Sequence, residues 1–323
     1  MNLSIIIPVY NEEILIKTCL DAILAQPYEQ GKREILVVND ASTDGTLKTL
    51  KHYEENKQIR LISFDENRGR AYTRLTGAKE AKFDRLLFID SRVTIGPNFF
   101  ITFIKEQGAW MPGKIPHNEN SIMERTLFLI RNTVYKDYYK NHYNEVYRLT
   151  LENFDSTPKG TTCLLIDKKE FVEATNQISF EDQYVSEDTL LLRKLLENKK
   201  PLFRTPDTAI FYHQRSGFIE NLIHLYQRGP RFIDYYFGRN TVYSTLIILG
   251  LLWAIALLLL GLSSAVLPLL LLTLFVFFIV IINISYNFYD ICKLSIGLPF
   301  IVATFTLGLV KGLFILGSRK LKA

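Results

Sequence analysis

Between Leu3 and Ile89 the chain alternates between short apolar runs and stretches of helical period, and few folds accept that pattern. The runs Leu3–Val9, 34–38, 59–64 and 85–89 are strand-length and rich in Ile, Leu and Val. Continuous apolar runs of this length mark strands covered on both faces. Between them, Ile14, Leu15, Cys19, Leu20 and Ile23, then 46–54, then Ala71, Leu75, Ala78 and Ala81, recur at the spacing of one helix face. Helices between successive strands are the crossovers that parallel pairing requires. The expectation is an α/β fold with a mostly parallel sheet flanked by helices. Each strand runs into a polar cluster: Asn11-Glu12-Glu13, then 39–45, then Asn67-Arg68-Gly69, then Asp90-Ser91-Arg92. Ligands of open α/β sheets sit outside the carboxyl ends of the strands, so these clusters are the candidate site.

Charge divides the chain. Charged residues run through the first two thirds and nearly vanish after Arg239. Residues 242–260 and 267–284 carry no charge and are long enough to span a bilayer core, with only a tight hairpin between them. A third segment, 296–316, holds Pro299 and Lys311 and ends in Ser318-Arg319-Lys320-Leu321-Lys322. Its length favours a third span. From a cytosolic start, however, three spans would carry the basic tail outside, against the positive-inside rule; a re-entrant or surface-lying segment is the alternative. Arg228, Arg231 and Arg239 cluster before the apolar region, as on a cytoplasmic flank. The expected organisation is a soluble domain over 1–235 and a membrane region over 240–323. This describes a multi-pass protein of the cytoplasmic membrane with its soluble domain facing the cytosol. The first residues lack the basic start of a secretory leader. The net charge of +5 is modest and forms no tail suited to nucleic acid, and three cysteines at no ligand or disulfide spacing fit a reducing compartment.

The segment Ser4-Ile5-Ile6-Ile7-Pro8-Val9-Tyr10-Asn11-Glu12-Glu13, followed by Val37-Val38-Asn39-Asp40-Ala41-Ser42-Thr43-Asp44-Gly45-Thr46, resembles the start of a family 2 glycosyltransferase of the GT-A fold. The resemblance runs from about residue 3 to residue 232. It implies transfer of a sugar from a nucleotide-sugar donor to an acceptor hydroxyl, with inversion at the anomeric carbon. It also implies base and ribose contacts at Pro8, Tyr10, Glu12 and Asp40. The residue types agree, since Tyr10 offers an aromatic platform and Asp40 an acceptor for a ring N–H. Residues 67–78 resemble the family's Asn-x-Gly…Ala-Arg-Asn-x-Gly segment, with Leu75 in place of the second Asn. In that reading Asn67 and Gly69 bring the backbone to the nucleotide, while Arg68 and Arg74 reach the base or the phosphates. Arg70 and Lys79 read as a solvated helix face.

Asp90-Ser91-Arg92 stands where the family has Asp-x-Asp, whose acids engage the nucleotide and a divalent metal on the diphosphate. The resemblance therefore implies Mg²⁺ or Mn²⁺ near Asp90, with His213 as a contact to the diphosphate or the metal. A cation at Arg92 in place of the second acid makes a poor site for a hard dication. Arg92 is expected instead to help neutralise the leaving diphosphate. Glu187-Asp188-Thr189-Leu190-Leu191-Leu192-Arg193 matches the family's Glu-Asp…Leu-x-x-Arg motif. This implies Asp188 as the catalytic base with Glu187 beside it, and Asp182 on the acceptor side; an isolated Asp at a helix start would be an N-cap. Residues 124–148 read as one amphipathic helix, either near the membrane surface or, the favoured reading, over the sheet edge. The expected partners are a nucleotide-sugar, membrane lipid and a membrane-bound, lipid-linked saccharide acceptor, in cell-envelope or extracellular polysaccharide synthesis. Two alternatives stand beside this reading: a polyprenyl-phosphate sugar transferase, and a non-catalytic scaffold that binds nucleotide-sugars.

Overall fold

The computed structural model describes residues 1–114, 121–179, 185–213, 217–260 and 266–322. Its first elements are β1 (Leu3–Val9), α1 (Glu13–Leu24), β2 (Arg33–Asn39), α2 (Thr46–Glu55), β3 (Arg60–Ser63), α3 (Arg70–Glu80) and β4 (Arg85–Ile89). They alternate as the apolar periodicity predicts. β1 pairs in parallel with β2 and β4, and β2 with β3. Every residue of β1 and of β4 is buried, which is why both read as mostly apolar runs. α1 covers this layer with Ile16, Cys19, Leu20 and Ile23, each large side chain stabilising the core by about 1.5–3 kcal/mol. On α3, Gly77 lets the helix approach the sheet, since a Cβ there would meet Ile6 Cγ2 at 2.5 Å. Pro8 is tolerated in this central strand because β4 pairs with β1 only as far as Ile6.

The chain continues through β5 (Val93–Ile95), α4 (Phe99–Phe103), β6 (Ala109–Lys114), α5 (Ile122–Val134), α6 (Lys136–Asn141), β7 (Tyr147–Leu149), β8 (Cys163–Asp167), α7 (Lys168–Asn176), α8 (Glu187–Glu197) and β9 (Leu202–Tyr212). The sheet order is β3-β2-β1-β4-β8-β6-β9-β5, with β7 also on β9. β8 runs antiparallel to β4 and β6, and β9 runs parallel to β6. The direction of winding reverses between β1 and β4, and at such a switch point the loops diverge and leave a crevice. The single helix expected over 124–148 is not observed. α5 ends at Val134, α6 is short, and β7 joins the sheet. The cause is a long-range contact: Arg204 of β9 donates to the Tyr138 hydroxyl at 3.1 Å and stacks over its ring, drawing α6 onto the sheet.

The chain divides into two compact units. One holds Met1–His117, Tyr135–Gln183 and Glu187–Gln214; the other holds Asn118–Val134, Tyr184–Ser186 and Arg215–Ala323. The second contains α5, α9 (Phe218–Tyr236), α10 (Thr241–Leu260), α11 (Val266–Ile284) and α12 (Phe288–Lys322). α10 and α11, of 20 and 19 residues, carry no charged residue. α12 is one continuous helix of 35 residues, longer than the 296–316 segment the sequence suggests. Within it, Phe288–Arg319 is, by length and composition, long and apolar enough to cross a membrane. That makes it fit to anchor the chain to one.

Candidate active site

The carboxyl ends of β1 and β2 build the first part of the site. After β1, Tyr10 is 46% exposed, an aromatic ring left open at the strand end. Asn11 follows with φ 53°, a left-handed turn that Asn tolerates. The turn is tied to residues 42–46: Asn11 N–H donates to Ser42 Oγ at 3.0 Å, and Glu12 N–H to Thr46 Oγ1 at 2.9 Å. After β2, Asp40 is buried and faces residues 67–69. Its carboxylate accepts from Arg68 N–H at 2.7 Å and Gly69 N–H at 3.0 Å, while Asn67 Nδ2 donates to its carbonyl at 3.3 Å. Gly69 has φ 84° and ψ 159°, a region open essentially to glycine alone, and a Cβ there would meet nothing within 4 Å. The requirement is for the backbone angle, and the space above it is free. Arg68 lies outside, its guanidinium 5.0 Å from the Tyr72 ring centroid and 5.7 Å from that of Phe64.

The second part is a charged network centred on Arg74. This buried guanidinium of α3 donates to Asp90 Oδ1 at 2.6 Å, to Asp188 Oδ1 at 2.6 Å and to Thr161 Oγ1 at 2.6 Å. It thereby joins the acid at the end of β4 to the acid at the start of α8. The Thr161 hydroxyl in turn donates to Asp188 Oδ1 at 2.5 Å. One helical turn before Arg74, Arg70 donates to Glu187 and, at 3.0 Å, to Asp188 Oδ2. Burial pushes both aspartates toward the neutral form, with opposite outcomes. At Asp90 burial prevails over the arginines and raises the carboxyl above its ordinary value. At Asp188 the charges of Arg70 and Arg74, helped by the Thr161 bond, outweigh burial and hold the carboxyl well below the usual range. Environments that push two acids apart are how sites separate acid and base roles.

Arg92 and His213 make the third part. Arg92 pairs through Nε with Glu12 and donates from Nη1 to the His213 carbonyl at 3.2 Å. The His213 ring meets Thr94 Oγ1 at 2.6 Å. Asp90 is already engaged by Arg74, and the described residues hold no group of three His, Cys, Asp or Glu side chains suited to a metal ion. A carboxylate bonded to a guanidinium and an imidazole bonded to a hydroxyl do not fit a hard dication.

The residues singled out in the sequence thus fall at one sheet edge: Pro8, Tyr10, Glu12, Asp40, Asn67, Arg68 and Gly69 in the first part, Arg74, Asp90, Glu187 and Asp188 in the second, Arg92 and His213 in the third. Asp182 lies outside the described residues. Two groups were missed. Thr161 lies in the segment 159–166, which resembles the glycine-led strand bordering the donor sugar, but its hydroxyl had no assigned role. Arg70, read as a solvated helix face, instead holds Glu187 and Asp188. Arg70 and Arg74 are four apart on one helix, and such like-charged neighbours repel unless anions face them; that was the available signal.

Residues 4–108 match the model of the family described as Glycosyl transferase family 2. "Glycosyltransferase GlyA" of Streptococcus pneumoniae serotype 4 is 26% identical over 219 residues, covering 67% of this chain and 31% of that protein. "Poly-beta-1,6-N-acetyl-D-glucosamine synthase" of Staphylococcus aureus (strain COL) is 33% identical over 90 residues, 28% of this chain and 21% of that protein. The chain therefore spans about a third or less of the length of these relatives. Among solved structures, "Mannosyltransferase PcManGT from Pyrobaculum calidifontis in complex with GDP-Man and Mn2+" shares the fold. Its TM-score is 0.59 at 18% identity, covering 96% of this chain and 86% of that one. The matched segment, residues 4–108, is thus that of glycosyl transferase family 2, and the sheet built around it has the fold of the solved mannosyltransferase.

Proposed function

We propose that the chain is an inverting glycosyltransferase anchored in the cytoplasmic membrane. It moves a sugar from a cytosolic nucleotide-sugar to a hydroxyl of a membrane-bound, lipid-linked saccharide, in the synthesis of a cell-envelope polysaccharide. The observation that carries this reading is the bridge Asp90–Arg74–Asp188. It sets an acid at the donor end of the sheet and an ionised acid on α8 either side of one guanidinium. The nucleotide stacks on Tyr10, with Asp40, Asn67 and Gly69 shaping its loop and Pro8 and Glu12 beside it. The acceptor oxygen attacks the anomeric carbon while the bond to the diphosphate breaks. The bonding pair leaves with the nucleoside diphosphate, and the hydroxyl proton passes to Asp188. Asp188 Oδ2 accepts a single bond, from Arg70, which leaves a lone pair for the acceptor. Arg92 adds positive charge beside the leaving group. The solved mannosyltransferase is described with Mn2+; no step here is routed through a metal.

Two uncharged helices of spanning length, α10 and α11, support a multi-pass anchor. The names of the relatives support a polysaccharide product. The test uses the full chain in lipid bilayers with a panel of nucleotide-sugars. Release of nucleoside diphosphate that requires a saccharide-bearing lipid, and that is lost in Asp188→Asn, is the expected result. Nucleotide binding without turnover on any acceptor would favour a scaffold instead. A polyprenyl-phosphate acceptor is favoured by one feature. Asp188 is pinned by two arginines and is a weak base in that state, and an already ionised phosphate needs none. Transfer to bare polyprenyl phosphate that survives Asp188→Asn would decide for it.

A further inference from the structure

α12 presents a conflict within the second unit. It is apolar enough to cross a bilayer, and at about 1.5 Å per residue its 35 residues extend about 52 Å, well beyond a hydrocarbon core of about 30 Å. Yet both ends and the middle are fastened to charged helices. Near its start, Asp290 is fully buried and accepts from Arg125 of α5 at 2.8 and 3.0 Å. Two turns on, the Cβ position of Gly297 abuts Thr126 of α5 at 2.5 Å. Phe300 then meets Phe218 of α9 with ring centroids 5.3 Å apart, and Phe305 meets Phe232 at 5.5 Å. At Gly308 and Gly229 the backbones touch: a Cβ on Gly229 would lie 2.2 Å from the Gly308 carbonyl carbon. Gly312 sits on Pro230 and Ile233, and Arg319 donates to Asp234 at 2.8 Å.

These contacts advance along both helices together, so α9 and α12 lie side by side and run the same way. A crossing α12 would therefore take α9 with it. α9 carries Glu220, His224, Arg228, Arg231 and Asp234 within 19 residues, and ionisable groups on that scale do not enter hydrocarbon. Even Lys311, the one charge between Leu294 and Ser318, turns toward α9, 5.0 Å from the Tyr226 ring centroid. The opposite side of α12 exposes Phe288, Cys292, Ile296, Ala303, Leu307 and Phe314, an apolar stripe at helical spacing. α12 alone lacks the composition of a surface helix, but with the amphipathic α9 beside it the pair has one. Its apolar face is α12, and its polar face is α9.

We propose that α12 lies along the membrane surface with this stripe in the acyl boundary and does not cross. Its partner is the lipid bilayer. The membrane part is then a two-helix hairpin of α10 and α11, and the C-terminus returns to the side on which Thr241 enters. That puts Arg319, Lys320 and Lys322 on the cytosolic side and removes the conflict with the positive-inside rule.

The inference rests on the reading of α10 and α11 as spans, and the test separates the two. In intact cells, Ser263→Cys, in the connection between those helices, is expected to react with a membrane-impermeant maleimide. A cysteine appended after Ala323 is expected to lose that labelling until the cells are permeabilised. For depth, nitroxides are placed at Cys292, at Ala303→Cys and at Phe314→Cys, the last two with Cys292→Ser, in the full chain in bilayers. A surface helix gives three equal, shallow depths. A span places position 303 up to about 16 Å deeper than 292, and that gradient, or labelling of the appended cysteine in intact cells, overturns the proposal. Failure of Ser263→Cys to label from outside sinks the hairpin reading, and the surface placement with it.

Discussion

Two acids at the carboxyl edge of the sheet are held by different means. Asp40 is gripped by backbone amides, those of Arg68 and Gly69. Asp188 is gripped by side chains, those of Arg70, Arg74 and Thr161. An amide leaves its acceptor only if the loop refolds, whereas a guanidinium on a flexible stem is released by a torsion once another anion competes for it. Asp40 thus reads as a strut that fixes the nucleotide loop, and Asp188 as a group whose partners can be exchanged during a reaction. The same contrast separates the two membrane candidates in the second unit. α10 and α11 carry no charge, while α12 is fastened by Asp290 and Arg319.

The largest effect is expected at Asp188. Asp188→Asn removes the proton acceptor and should lower kcat by about 10²–10⁴, while nucleotide still raises the melting temperature as in the parent. Asp40→Ala should do the reverse. Two amides lose their acceptor, at about 1–3 kcal/mol for each that stays buried, so the chain melts earlier and donor affinity falls more than kcat at saturating donor. Calorimetry and donor-dependent kinetics on the two variants give the comparison directly. If Asp188→Asn abolishes nucleotide binding, or Asp40→Ala leaves the melting temperature unchanged, the strut and the exchangeable acid are not distinct. Gly69→Ala belongs with Asp40. With φ at 84° and open space at the Cβ, the expected penalty is conformational, about 1–3 kcal/mol.

Most of the strut was legible in the sequence and much of the exchangeable network was not. β1, β2 and β4 announce themselves because a strand buried on both faces is mostly apolar, and its few buried polar residues, Ser4, Asn39 and Arg85, are each hydrogen-bonded. Their polar ends then mark where Asp40 and Asp90 must emerge. Arg70 was unreadable for the opposite reason. Its partners, Glu187 and Asp188, come from more than a hundred residues away, and the periodicity of α3 says only that it faces outward. The break after Val134 has the same origin, since Tyr138 answers to Arg204 on a distant strand. α12 shows the limit of hydropathy: its composition is that of a span, and only its contacts reveal charged neighbours.

Arg70→Ala sharpens the comparison through pH. Arg70 and Arg74 hold the Asp188 carboxyl well below its ordinary range, so in the parent the base remains ionised far into acid. Removing one adjacent cation withdraws an interaction that favours the ionised form, so the carboxyl pKa rises, by about 1 unit or more. The acid limb of kcat/KM should move to higher pH by that amount. At strongly acidic pH, below the ordinary carboxylate range, the variant should lose activity that the parent keeps, and from mildly acidic pH to neutrality the two should differ little. A profile that does not shift would mean that Asp188 is not the group whose ionisation is being read. Arg70→Lys, which keeps the charge without the fork, should recover most of the profile.

The smallest expected effect is at Arg92. Glu12 already neutralises much of its charge, and Nε and Nη1 are both occupied. What remains for a diphosphate is Nη2 and a screened field, worth about 1 kcal/mol. Arg92→Ala should therefore lower kcat about fivefold, with less effect on donor KM, because the charge matters most as the diphosphate leaves. The measurement is made with and without added Mn²⁺ and in chelator, since a cation at this position is the reading's substitute for metal. The parent should be little altered by chelation, and the variant should gain from Mn²⁺ if the vacated space admits it beside Asp90. A parent that stops in chelator while Arg92→Ala leaves turnover unchanged would place the neutralising charge elsewhere. Arg92 would then be a second strut, pinning Glu12 as Asp40 pins residues 68 and 69.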